Sequence, residues 1–146
     1  MAKPMKSKML LFSILFSLIS CSNKNEFDNI VAAQYQQCKE NNCVIDFSDL
    51  MWFEWDTMCF YSGSNSLEHI NEDLGFQLYE FTDMGDRVIF LNKGKFVYQK
   101  EWFKEPSQPL KGTVFVTDLK KFKLSKFETN FIIKKHGEAL YLEKFE

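Results

Sequence analysis

The residues with the most chemical potential in this sequence lie in and around the segment 38–59. Four carboxylates, Asp46, Asp49, Glu54 and Asp56, fall close together, and paired carboxylates can hold a hard cation or divide a general acid from a general base. Their spacing lacks the D-x-D-x-D-G pattern of a calcium loop. The plainer alternative is that they end strands and face water. Cys59, with His69 or His136, has the composition of a thiolate nucleophile and its base, since a thiolate forms beside a basic or cationic partner. Its neighbours Met58 and Phe60 fit a small buried thiol equally well.

Other reactive patterns are missing. The sequence has no G-x-S-x-G elbow, no H-E-x-x-H pair and no glycine-rich phosphate loop, and Ser62-Gly63-Ser64 reads as an ordinary turn. With no C-x2-C spacing and only two histidines, the chain offers no zinc pattern. No metal and no cofactor is expected, and a non-enzymatic protein is favoured over a familiar hydrolase. Lys120, Lys121, Lys123 and Lys126 interleave with Phe122, Leu124 and Phe127. That stripe could meet an anionic polymer or lipid headgroups, but alternation of this kind usually marks an apolar face turned inward with lysines in water.

The first twenty residues have a different character. Lys3, Lys6 and Lys8 are followed by an uncharged run from Met9 to Ser20, the layout of a secretory signal. A spanning helix needs about 20 apolar residues, so the run is too short for a permanent span. Leu18-Ile19-Ser20-Cys21 closely resembles the lipobox of bacterial lipoproteins. That resemblance implies cleavage before Cys21, lipidation of Cys21 and, because Ser22 is not the inner-membrane-retaining Asp, an outer-membrane address facing the periplasm. Beyond this leader, the sequence points to no family with a known activity. The organisation expected is a signal peptide at 1–20, a lipidated Cys and short tether at 21–25, and one globular domain at 26–146. Several acyl chains hold a protein durably where one does not.

Taking 20 residues from 146 leaves 126, a length that suits one domain with a modest core. The leader carries three of the eighteen basic residues and none of the twenty acids, so the net charge moves from −2 to −5 on its removal. Nucleic acid is an unsuitable partner for such a chain, because phosphate binding needs clustered positive charge. With Cys21 assigned to lipid, Cys38, Cys43 and Cys59 remain for an oxidising compartment. Cys38 and Cys43 are five apart and are the favoured disulfide, with Cys59 left as a buried thiol; three separate thiols remain the alternative.

The elements that must position these residues can be read from periodicity. Phe27, Ile30, Val31, Tyr35 and Cys38 share one face of a helix from Glu26 to Lys39, which Asn41-Asn42 would end. The apolar segment from Val44 to Tyr61 reads as one or two buried strands. Ser66 is a suitable N-cap for a short helix bearing Leu67, Ile70 and Leu74, with Gly75 at its end. Strands are expected at Phe76 to Phe81 and at Val88 to Leu91. A turn at Asn92-Lys93-Gly94-Lys95 then leads into a strand placing Phe96, Tyr98 and Trp102 on one face. Pro106 and Pro109 mark a loop, Val114 to Val116 a strand, and Phe127–Lys134 with Glu138–Lys144 a hairpin about His136-Gly137.

The expected fold is α+β: an antiparallel sheet of five or six strands with both helices on one face. Sixteen per cent of residues are aromatic, Trp52, Trp55 and Trp102 among them. Most must form core, and any that stay exposed would anchor an interface. The function expected is a lipid-anchored envelope protein that meets the membrane through Cys21 and binds another envelope protein, as an accessory or an inhibitor or immunity factor. The alternatives are an envelope hydrolase using the carboxylates and capture of a small apolar ligand.

Overall fold

The computed structural model describes residues 25–39 and 43–145; the leader, Cys21 and the expected helix stop at Asn41-Asn42 lie outside the described residues. Helix α1 spans Glu26–Gln37, and Glu26 and Asp28 in its first turn suit the positive end of the helix dipole. It ends two residues before the expected Lys39, because Cys38 turns to extended backbone and bonds to Cys43, with their Cα atoms 5.5 Å apart. Strand β1, Cys43–Asp46, runs into a one-turn 3-10 helix at Phe47–Asp49, and β2 follows at Thr57–Tyr61.

Helix α2, Leu67–Leu74, has the boundaries its sequence signals. The Ser66 hydroxyl accepts the His69 N–H at 3.2 Å, and Gly75 takes φ +79, which a side chain would oppose. Strands β3, Asp86–Asn92, and β4, Lys95–Trp102, form a hairpin whose turn places Lys93 and Gly94 at φ 51 and 74. Two successive positive φ values match the right-handed strand twist. Strands β5, Lys111–Val116, and β6, Lys121–Ser125, precede the closing hairpin of β7, Asn130–His136, and β8, Glu138–Lys144. Strand β7 starts later than expected. Residues 126–128 form a 3-10 turn locked by a capping box between Ser125 and Glu128, which leaves Phe127 exposed.

The strands form two four-stranded sheets, not one sheet of five or six. One has the order β1-β7-β8-β5, with β5 and β8 parallel; the other has the order β4-β3-β2-β6 and is antiparallel throughout. Their inner faces share a core in which Ile45, Phe115, Phe131, Ile133 and Leu142 of the first sheet meet Met58, Phe60, Val88 and Phe90 of the second.

Nor do the helices share a face. Helix α1 belongs to the common core, where Phe27 packs its ring on Phe47, Phe90, Trp102 and Phe115. Helix α2 covers the outer face of the second sheet, where Ile70 meets the layer of Cys59, Tyr61, Ile89 and Leu91. Strands β2 and β3 are therefore buried on both faces, which is why Val88 to Leu91 reads as an unbroken apolar run.

The strand expected at Phe76–Phe81 does not form. This segment lies over the outer face of the second sheet beside β4, and it joins neither sheet's ladder. Side chains serve its backbone instead: Asn71 Oδ1 accepts Leu78 N–H at 2.9 Å, Gln99 Nε2 donates to Glu80 O at 2.9 Å, and Arg87 Nη2 donates to Thr82 O at 2.7 Å. Arg87 is 1 % exposed, pairs with Glu101 at 2.7 Å and stacks on Phe81. It holds the segment in place.

Candidate functional site

The register between β3 and β4 slips by one residue between Phe90 and Leu91, so Val97 is an extra residue opposite them. Such a bulge re-aims the side chains on either side. Phe96, paired with Leu91, joins the outer face, while Tyr98, paired with Phe90, packs into the inner core. The expectation that Phe96, Tyr98 and Trp102 share a face is thus corrected for Phe96. The sequence did carry the signal: Phe96-Val97-Tyr98 breaks strict alternation with three apolar residues in a row.

Strand β4 is the terminal strand of its sheet, and among the described residues it pairs only with β3. Aromatic side chains flank it on both sides. On the outer side residues 76–80, among them Phe76, Leu78 and Tyr79, and residues 96–99 of β4, Tyr98 included, line a groove of about 350 Å³. Tyr79 is fully exposed there and Phe96 is 47 % exposed. On the inner side Trp52 is 49 % exposed and packs edge-on against both Phe53 and Tyr98, with ring centroids 4.9 and 5.1 Å away. Burial raises the Tyr98 phenol to about 12, so it is a neutral, hydrogen-bonding aromatic at any physiological pH.

The carboxylates grouped in the sequence take up separate tasks. Asp46 accepts the Ser48 N–H at 2.9 Å and caps the 3-10 turn, while Asp49 and Glu54 face solvent. Asp56 accepts Lys93 N–H and Thr57 Oγ1–H, each at 2.7 Å, and thereby ties the β3–β4 turn to the start of β2. The Lys93 N–H, then the Thr57 hydroxyl, holds its carboxyl below the usual range. Among the described residues no group of three or more His, Cys, Asp or Glu is placed to hold a metal.

Cys59 is buried under α2, and loss of solvent pushes its thiol to about 11. The charged groups that act on it are Lys123 and Asp73, not a histidine. His69 is exposed on α2, and His136 stacks edge-on against Tyr141 in the other sheet. The lysines near β6 are also partly engaged: Lys121 pairs with Asp73 at 2.7 Å and Lys126 lies over the Trp55 ring, while Phe122 and Leu124 pack inward.

A larger cleft of about 520 Å³ lies between the start of α1, the end of β4 and β5. Several of its charges are paired. Asp28 Oδ1 accepts Trp102 Nε1–H and Thr113 N–H, both at 2.9 Å, and its other oxygen pairs with Lys100 at 3.3 Å. Lys104 pairs with Asp86 and Lys111 with Glu138. This cleft joins elements together, whereas the β4 groove leaves its aromatic groups open. Sequence reasoning missed both Asp28 and Tyr79, since neither sits in a recognisable motif.

No family model, no curated protein and no solved structure matches the chain.

Proposed function

We propose that this chain is a bacterial envelope lipoprotein whose signal peptide is cut before Cys21, whose Cys21 carries lipid, and whose domain binds another envelope protein without catalysis. The observation that carries the binding reading is the set of exposed aromatics, Trp52, Tyr79 and Phe96, on both sides of an unpaired strand edge. Aromatic residues anchor interfaces because each removes a large apolar area from water at small rotamer cost. Carboxylates spread over capping and tying roles support an accessory, inhibitor or immunity-type module over the hydrolase alternative.

The anchor and the groove fit together spatially. A tether of residues 21–25 reaches at most about 18 Å when fully extended, so the start of α1 stays near the membrane. Trp102 is hydrogen-bonded to Asp28 in that first turn. Phe96 lies six residues up β4, about 20 Å from Trp102 at strand rise. Tyr98, two residues from Phe96, is itself hydrogen-bonded to the Phe27 backbone, so the first turn of α1 packs close to the groove and a partner is met near the anchored end.

Two measurements test this. Mass spectrometry of the N-terminal peptide from cell envelopes is expected to find lipid on Cys21; an unlipidated Cys21, or a cut elsewhere, contradicts the address. A photoreactive p-benzoylphenylalanine replacing Phe96 in the full chain is expected to join a different protein on illumination of intact cells. Absence of any protein adduct contradicts the binding function.

A further inference from the structure

We infer that the partner binds as an added strand: an extended segment of another protein pairs along the edge of β4 that no described strand occupies, with apolar side chains at alternate positions. This rests on the protein-binding reading above and names its mode. An edge strand presents unsatisfied backbone N–H and C=O groups, and the ligand that satisfies a row of them is another extended backbone. Sheet faces offer no such specification, so the edge itself selects the class of occupant.

The four edges of the two sheets differ in how they are protected. Strand β6 carries exposed Lys121 and Lys123, charges that discourage pairing. Strand β1 is four residues long and is clipped to α1 through Cys43, and β5 packs beside α1 and carries Lys111 paired to Glu138. Strand β4 is eight residues long; its Lys100 and Glu101 are engaged with Asp28 and Arg87, and the stretch Phe96-Val97-Tyr98-Gln99 between them and Lys95 carries no charge.

The bulge at Val97 gives the edge two receptive sides. Successive side chains of an added strand point to opposite faces. One set would enter the outer groove between Tyr79 and Phe96, and the other would lie against Trp52 on the inner side. Exposed Lys95 at the hairpin end favours an acidic residue at the matching end of the segment.

The test uses the full chain in intact cells, with p-benzoylphenylalanine placed singly at Trp52, at Phe96 and, as a reference, at exposed Leu119. Adducts are digested and the attachment sites on the partner mapped by mass spectrometry. Strand addition predicts that Trp52 and Phe96 attach to one partner segment at positions an odd number of residues apart. It also predicts that Phe96→Lys lowers the Trp52 adduct by about tenfold or more, the size of a lost interface anchor. Attachment from Phe96 at sites three and four apart, with none from Trp52, indicates a docked helix and overturns the strand mode while leaving protein binding intact. Attachment to a second copy of this chain overturns the partner assignment. Yields at both positions no higher than at Leu119 overturn this inference and the binding site together.

Discussion

Phe96 and Tyr98 stand two residues apart on β4 and yet occupy opposite faces of its sheet, because their partners Leu91 and Phe90 are consecutive on β3. A regular strand would have buried both or exposed both. The extra residue, Val97, lets Tyr98 pack on the core while Phe96 stays half-exposed over the groove.

The first prediction follows from this division of labour. Phe96→Lys and Tyr79→Ala remove exposed side chains, so each is expected to change stability by no more than about 0.5 kcal/mol. Both should nevertheless weaken partner capture. Urea unfolding followed by tryptophan fluorescence, beside crosslinking yield, separates the two effects.

The Asp28 carboxylate gives the reverse pattern. Asp28→Ala leaves Trp102 Nε1–H and Thr113 N–H without an acceptor. An unsatisfied buried donor costs about 1–3 kcal/mol, so the variant is expected to lose about 2–4 kcal/mol. Asp28→Asn keeps an acceptor and should lose about half as much. Denaturant midpoints check both.

Arg87→Ala tests the frame of the groove. It removes the Glu101 pair and the bond to Thr82 O that hold residues 76–86 on the sheet. Breaking a buried pair from one side costs about 3–5 kcal/mol. Hydrogen exchange should rise first in 76–86. Arg87→Lys is expected to rescue little, since an ammonium cannot reproduce the forked contacts.

The cysteines predict opposite reactivities. A Cys38–Cys43 bridge closes a very short loop, worth about 2 kcal/mol in the chain-entropy description, and reduction should lower the urea midpoint accordingly. Cys59, buried with its thiol raised to about 11, should resist alkylation until the chain unfolds.

Stability should fall at both ends of the pH scale. Hydrogen bonds, first from Lys121 and then from Tyr61, hold the Asp73 carboxyl below its ordinary 3.8. A lowered folded value means the unfolded chain binds the proton more readily, so this contribution is present above about pH 4 and is lost as pH falls through the folded value. Burial raises the Cys59 thiol from 9.0 to about 11. There the unfolded chain releases its proton first, and stability is lost as pH climbs from 9 towards 11. Unfolding midpoints measured across pH test both signs: Asp73→Asn makes the acid limb shallower, with Asp56 and Glu128 still contributing, and Cys59→Ala removes the loss between about pH 9 and 10, above which the raised Tyr61 and Tyr98 phenols contribute their own.

Local chemistry was legible in the sequence where it is decided locally. Ser66 and Gly75 bracket α2, and Lys93-Gly94 turns the hairpin, because caps and turns depend on a few adjacent residues. Pairing between distant segments was not legible. Lys111 meets Glu138 in a parallel ladder that no short-range pattern records, and this pairing divides the strands into two sheets. At 76–81 the alternation of Phe76 and Leu78 reported burial correctly, but Asn71, Arg87 and Gln99 supplied the bonds that a neighbouring strand would have made. The aromatic content announced an interface without placing it; the slip at Val97 determines where Phe96 points.

The most direct test of the account is a crosslinking scan of the full-length chain in its own envelope. Single photoreactive substitutions would be made at Trp52, Tyr79 and Phe96, and at four further exposed apolar residues away from the β4 edge, Val116, Leu119, Phe127 and Phe145. The account predicts partner adducts concentrated at the first three positions. Equal yields at all seven, or yields concentrated at the last four, would contradict the placement of the binding surface on the β4 edge.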